Sequence, residues 1–304
     1  MKKVLVIMSS YNGEKYIEEQ IKSIFNQLGD FKISLLIRDD GSSDNTIKII
    51  KEFAKKFDVK WYKGENLKPA KSFVDLMYMC SLDYDYYAFA DQDDYWENNK
   101  ISKAIEFLSD YYNSPTIYYS NVEIVDKNLN SLGRNLYKRK PYTNIYNVFF
   151  TPNYIGCSMV WNKKLMQIVR KYEKPKIVIM HDSYLVKICK VFGGDVLYDN
   201  HSYVKYRQHG NNVIGSQTVV KEKLKRYLGD VFNKSLITVD EQTKEIVRIC
   251  GKDLPTEILM ILESIVNYKK CLFNRIYWFL SFKIKYSSIS AAIKYKLEIL
   301  LGNR

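Results

Sequence analysis

From residue 4 to residue 90 the chain alternates two kinds of apolar pattern, and this alternation constrains the fold more than any other feature. Val4–Met8 is a continuous apolar run, the mark of a strand covered on both faces. Ile17, Ile21, Ile24, Phe25 and Leu28 then recur at helical spacing. Ile33–Ile37 reads as a second strand. Asp44 is placed to cap a helix whose apolar positions are Ile47, Ile50, Phe53 and Phe57. Val59–Tyr62 is a third strand, Phe73, Leu76, Met77 and Cys80 mark a third helix, and Tyr86–Ala90 is a fourth strand. Strand and helix alternating at this spacing predict βαβ units, hence an α/β fold with a mostly parallel sheet flanked by helices. Ligands of such sheets bind beyond the carboxyl ends of the strands. Three polar clusters fall there: Ser9–Gly13, Asp39–Asp44 and Asp91–Asp94. They are expected to share one rim.

The middle of the chain is mixed. Thr116–Ser120, Val122–Val125, Val196–Tyr198 and Tyr203–Arg207 read as extended. Asn162–Tyr172 and Asp182–Phe192 read as helical, and the basic stretch Lys127–Tyr146, punctuated by Gly133 and Pro141, reads as a loop. After Gly215 the texture changes to long helical patterns, which sets a boundary near Ser216. With 304 residues, 46% of them hydrophobic, the chain has material for an ordinary core in one large domain with an extension. The five cysteines are odd in number, widely spaced and without a CxxC pair, so a disulfide framework or zinc site is not expected and a reducing cytoplasm fits. MKKVLVIMSSYNGEKY reads as a first strand rather than a signal peptide, and no segment reaches the roughly 20 apolar residues of a membrane span.

Each polar cluster has a chemical reading and a plain one. In FADQDDYW, Asp91 and Asp93 offer hard oxygen ligands to Mg²⁺ or Mn²⁺; alternatively this is a solvated acidic turn, with Asp94 capping the next helix. In RDDGSSDNT, Asp39 or Asp40 can accept hydrogen bonds from a base or ribose, or the run is turn-and-cap chemistry. Tyr11 in SSYNG stacks on a base or simply turns the chain. Asp182 in HDSY is a general base or an N-terminal helix charge. His209 in YRQHGNN is a metal ligand, a phosphate contact or a turn residue.

Taken in order, VIMSSYNGEKYIEEQI, RDDGSSDNT, FADQDDYW, HDSY and YRQHGNNVIG resemble the family 2 glycosyltransferases of the GT-A fold, from about Lys3 to Gly215. ADQDD, HDS and YRQHGNN together resemble the bacterial rhamnosyltransferase-like members. The resemblance implies a GT-A catalytic domain over 1–215, its nucleotide-binding part about 1–98 and its acceptor part about 99–215, followed by a helical basic extension over 216–304. It implies nucleotide contacts from Ser9 and Tyr11, base recognition by Asp40, and a D-x-D pair, Asp91 and Asp93, for the metal and the donor's ribose and diphosphate. It further implies a catalytic base in Asp182 and a metal contact from His209. Lys68 and Lys71 fall in the loop expected after the third strand, where a basic residue meets the donor; Lys68 stands where the family usually has glycine, and His181 where glutamate is commoner. The implied reaction is inverting transfer of a sugar from a nucleotide-diphosphate donor, dTDP-L-rhamnose or alternatively a UDP-hexose, to a glycan or lipid-linked acceptor in bacterial surface polysaccharide synthesis.

Formal net charge is +13, which favours an anionic partner. From Ser264 onward eight cations (Lys269, Lys270, Arg275, Lys283, Lys285, Lys294, Lys296, Arg304) face a single acid, Glu298, so this segment holds 8 − 1 = 7 of that excess. Aromatics interleave with them. Such a segment suits peripheral contact with the inner face of the plasma membrane, or it caps the catalytic domain with solvated lysines. Three other classes are disfavoured: a dehydrogenase lacks its G-x-G-x-x-G after the first strand, a nucleotidyltransferase its Gly-rich basic loop, and a nucleic-acid adaptor any recognised binding module.

Overall fold

The computed structural model describes residues 1–209 and 237–303. The boundary expected near Ser216 lies outside the described residues, as does the end of the YRQHGNNVIG motif. Two compact units are present. The first comprises Met1–Lys140, Tyr154–Lys174 and Met180–Gln208, and the second Pro141–Asn153, Pro175–Ile179 and His209–Arg304.

The first unit opens with the expected alternation: β1 (Lys2–Ser10), α1 (Ile17–Phe25), β2 (Phe31–Asp39), α2 (Thr46–Ala54), β3 (Val59–Lys63), α3 (Lys68–Met79) and β4 (Tyr86–Ala90). β1 pairs in parallel with β2 on one side, Val4 opposite Ile33, and with β4 on the other, Val4 opposite Tyr86. β3 adds in parallel to β2. The order β3-β2-β1-β4 therefore reverses direction at β1, and such a switch point opens a crevice at the strands' carboxyl ends. Val4–Met8 and all of β4 are buried because helices cover both faces. α1 buries Ile17, Ile21 and Ile24, and its first turn carries Glu18 and Glu19, charges that suit a helix N-terminus.

Beyond β4 the sheet becomes mixed. It continues through β5 (Tyr95–Trp96), α4 (Lys100–Leu108), β6 (Thr116–Val125), β7 (Ser131–Asn135), β8 (Val160–Asn162), α6 (Lys163–Lys171), α7 (His181–Val191) and β9 (Asp195–Arg207). β8 runs antiparallel between β4 and β6, β9 lies parallel to β6, and β5 pairs antiparallel with β9.

Several local expectations need correction. The two strands expected over Thr116–Val125 are one strand, irregular at Asn121. The two expected between Val196 and Arg207 are likewise one. Lys127–Tyr146 is not all loop, since Ser131–Asn135 forms β7 on the edge of β6. Leu28 and Phe57 lie beyond their helices and are exposed. Lys68 and Lys71 are not in a loop but in the first turn of α3.

The second unit contains α5 (Ile145–Phe150), α8 (Val239–Cys250), α9 (Thr256–Val266), α10 (Leu272–Leu280) and α11 (Ile289–Leu301). Thr238 and Glu241 close a capping box on α8. Its core gathers Phe150, Tyr268 and Trp278, with the Phe150 and Trp278 rings 4.7 Å apart. The Asn147 amide pairs with both backbone groups of Lys285, donating at 2.6 Å and accepting at 3.1 Å.

Candidate active site

The crevice at the switch point is built by loops that hold one another. After β1, Asn12 and Gly13 donate backbone N–H groups to Ser42 Oγ at 2.9 Å and Thr46 Oγ1 at 2.7 Å, and Ser43 N–H donates back to Asn12 Oδ1 at 2.9 Å. Asp44 accepts from Thr46 N at 3.0 Å and from Glu14 N at 3.1 Å, so one carboxylate meets the first N–H of α2, just ahead of its N-cap Asn45, and ties in the first loop. Gln92 sits between the two D-x-D acids. Its amide accepts from Tyr11 N and donates to Tyr11 O, both at 3.0 Å, which locks the first loop to the acidic one. A Cβ on Gly13 would lie 2.1 Å from Gln92 Oε1, so only glycine admits this lock.

Asp39 and Asp40 are both buried but have different partners. Asp39 is buried and accepts from Gly41 N, Ser42 N, Ser42 Oγ and Ser10 Oγ, a turn-building role. Asp40 is also buried, ion-paired with Arg38, and accepts from Leu67 N at 3.1 Å. Arg38 extends that network to Asp75 and Ser72. Ser9 shares a 2.7 Å hydroxyl contact with Ser72, Tyr11 is exposed on the rim, and Lys71 is exposed on α3.

Asp182 comes to the same crevice from α7. Phe73 stacks on the His181 ring at 4.0 Å, and Phe89 of β4 meets it edge-on at 4.7 Å. This seats the start of α7 against the strand that leads into Asp91. Burial pushes the Asp182 carboxyl up to about 6, against the N–H groups of Ser183 and Gly156. Burial, Asp93 and Asp182 push Asp91 up to about 7. Burial holds His181 down at about 3, so its ring is neutral.

The acidic loop has a buried floor that its spacing does not reveal. Asp91, Asp94 and Cys157 bring one donor atom each within 4.8 Å of one another; Asp93 is not part of that group. Asp94 caps no helix. It accepts from Arg207 N at 3.2 Å and, crowded by burial, Asp93 and Asp91, is pushed well above the usual carboxylate range. Burial and these acids also push the Cys157 thiol well up, so it stays protonated and is a poor ligand for a hard cation. Lys100 lies over the Trp96 ring at 3.6 Å, its ammonium pulled down to about 7 by burial, and Nζ has no hydrogen-bond partner among the described residues. Adjacent carboxylates with raised proton affinity fit a divalent cation, which would relieve their mutual repulsion.

Sequence spacing singled out His209 but not its neighbour Arg207. Arg207 is buried, donates to Asp93 O at 2.8 Å and Lys127 O at 2.6 Å, ion-pairs with Glu19, and lies 4.4 Å from the centre of the Tyr16 ring. His209 falls in the second compact unit. Gly156 was also missed. A Cβ there would lie 2.8 Å from His181 Nε2 and 3.4 Å from Asp182 Cβ. Tyr137 is the third such residue. It is the one buried side chain of Ser131–Lys140, its backbone paired with the Asn121 amide.

Comparison with known proteins identifies the family. Residues 5–183 match the family model described as glycosyl transferase family 2. The dTDP-rhamnosyl transferase RfbG of Shigella flexneri is 34% identical over 241 residues, 75% of this chain and 80% of that protein. In fold, the chain resembles Staphylococcus aureus TarS 1–349 in complex with UDP-GlcNAc, with a TM-score of 0.56 at 16% identity over 99% of this chain and 90% of that one. It also resembles the mannosyltransferase PcManGT of Pyrobaculum calidifontis in complex with GDP-Man and Mn²⁺, with a TM-score of 0.53 at 15% identity over 98% and 74%. The family model covers β1 through the first turn of α7, which is the stretch that builds the crevice, and on that ground the chain belongs to glycosyl transferase family 2.

Proposed function

We propose that this glycosyltransferase is metal-dependent and inverting, takes dTDP-L-rhamnose as donor, and uses Asp182 as its general base. The observation that supports this most is the seating of Asp182. A carboxylate raised to about 6 is ionised at neutral pH yet basic enough to take a proton. It lies within electrostatic reach of Asp91, at the ends of the strands where a donor diphosphate would be held.

In this reading Ser9, Tyr11 and Asp40 hold the nucleoside, and Lys71 meets the diphosphate. On the family resemblance, Asp91 and Asp93 would hold a Mg²⁺ or Mn²⁺ ion, and His209 would be a further ligand. That ion, when bound, offsets the negative charge that grows on the leaving diphosphate. Asp182 accepts the proton of the acceptor hydroxyl while that oxygen forms a bond to the anomeric carbon. The bond from that carbon to the diphosphate oxygen breaks on the opposite face, and its electron pair leaves with the nucleotide diphosphate. One carboxylate base therefore suffices, and configuration inverts. The rhamnosyl donor is proposed from the similarity to RfbG. The acceptor is a glycan or a lipid-linked oligosaccharide of surface polysaccharide synthesis. No helix among the described residues is long and apolar enough to cross a membrane; the basic C-terminal extension is the proposed peripheral contact with the inner face of the plasma membrane.

Release of nucleotide diphosphate from dTDP-L-rhamnose, UDP-GlcNAc and UDP-glucose, with and without EDTA, tests the donor and the metal together. Rhamnose-dependent release that EDTA abolishes is expected. Asp182→Asn is expected to lower transfer by about a thousandfold while the donor still binds; unchanged turnover in that variant removes Asp182 from the role.

A further inference from the structure

α10 and α11 are amphipathic the wrong way round. On α10, Leu272, Phe273, Ile276, Tyr277 and Leu280 are exposed, and their spacing places them on one face of the helix; Trp278, on the opposite face, is buried. On α11, Ile289, Ile293, Leu297 and Leu301 recur every four residues as an exposed stripe, while Glu298 and Ile299 are buried. Phe282, in the connection between them, is 97% exposed. The two helices pack against each other. Ten large apolar side chains thus lie open to solvent within thirty residues, out of 21 such residues across the whole described chain. Scattered exposed leucines are ordinary, but ten gathered on two packed helices and their connection suit an interaction site.

The charges beside this face indicate what it meets. Lys270, Lys283 and Lys285 are exposed, and Lys296 lies 5.3 Å from the centre of the Phe279 ring. Glu298, the one acid from Ser264 onward, is turned inward and ion-paired with Lys294 at 3.7 Å. An apolar face with cations beside it and no exposed acid from Ser264 onward complements a surface that is apolar inside and anionic at its edge. A second copy of the same face would bring like charges together.

We propose that the α10–α11 face, with Phe282 at its connection, inserts into the headgroup boundary of an anionic lipid bilayer. The proposal rests on the peripheral-membrane reading above and deepens it by naming the inserted face. Helices lying in the plane of the interface bury their apolar sides a few ångströms below the headgroups while lysines reach back to them. Anchoring is then two-part, apolar insertion plus charge, and removal of either part weakens it.

Flotation of the full chain with vesicles of phosphatidylcholine alone, and of equal parts phosphatidylcholine and phosphatidylglycerol, tests this. Wild type is expected to float with the mixed vesicles and only weakly with the neutral ones. Phe273→Ser, Leu280→Ser and Phe282→Ser combined should cut the partition constant by about tenfold or more. These positions are exposed, so an unchanged circular-dichroism melt will show the fold intact. Lys283→Gln with Lys285→Gln should lower binding and flatten its salt dependence. Wild type that floats with neither vesicle overturns both the membrane reading and the face. Wild type that floats while the triple variant floats equally overturns the face alone. A dimer by light scattering that the triple variant turns into a monomer, with no flotation, assigns the face to a second copy and overturns the proposal.

Discussion

Two regions of this chain break the ordinary rule of burial, in opposite directions. At the crevice of the first unit, Asp94, Lys100, His181 and Asp182 are hidden from solvent. On α10 and α11 of the second unit, phenylalanine, leucine and isoleucine are turned into it. A buried charge and an exposed apolar face are each unfavourable in the isolated chain. Each becomes reasonable when something else is expected there: a charged substrate with its cation at the crevice, and an apolar, anionic surface at the helices. The contrast teaches that departures from the rule, more than its fulfilment, locate function.

The sharpest way to break this comparison uses one residue type in both places. Phe89 is fully buried in β4 and packs against Phe73, Trp161 and His181. Phe89→Ala should cost about 3–5 kcal/mol in urea unfolding, because it removes buried area and leaves a cavity. Phe282→Ala should stay within about 0.5 kcal/mol. A large loss at Phe282 would mean that the residue supports the fold, and the contrast would fail.

Within the crevice, Gly156→Ala comes next in size. Its methyl would press on His181 and Asp182, and backbone or ring must shift to admit it. A displacement of that order at a base costs about a hundredfold in turnover, while donor affinity should change little. Equal losses in turnover and donor binding would place the damage elsewhere in the rim.

A pH profile sharpens the same point more gently. A base raised to about 6 should give turnover that is level above that pH and falls about tenfold per unit below it, at saturating metal. Stability should move the other way. The folded carboxyl binds its proton more tightly than a free aspartate, whose pKa is 3.8, so between about 4 and 6 the folded state holds more protons. Its contribution to stability therefore grows as pH falls through that window. Stability of wild type relative to Asp182→Asn that rises with pH across this window would contradict a buried, desolvated base.

The alternation that builds β1 to β4 was legible because each strand is an unbroken apolar run and each helix keeps its spacing. The strands that followed were harder for a physical reason. β6 is interrupted at Asn121, whose amide is committed to the Tyr137 backbone. β9 is interrupted around Asp199–His201, where its register against β6 shifts. Polar residues with long-range partners look like strand ends when only neighbours are seen. β7 is exposed at all five positions and carries no pattern at all. The acids of the crevice were visible as clusters, but Gly156 and Arg207 were not, nor was the reason Gly13 must be glycine. Their roles lie in contacts to residues between 25 and 191 positions away.

Lys68 yields the smallest effect and the most local one. The family resemblance expects glycine there, and the backbone explains why: φ at Lys68 is +65°, in the left-handed region. A side chain in that region costs roughly 1 kcal/mol. Glycine removes the strain but has more freedom to lose on folding, so Lys68→Gly should stabilise by somewhat less than about 1 kcal/mol. Lys68→Ala keeps the strain and should not stabilise. Comparison of the two separates backbone from charge, since both remove the ammonium from the first turn of α3. If both variants bind the nucleotide-sugar donor as wild type does, the Lys68 charge does not meet the diphosphate. If both weaken it equally, Lys68 holds its strained place for its charge.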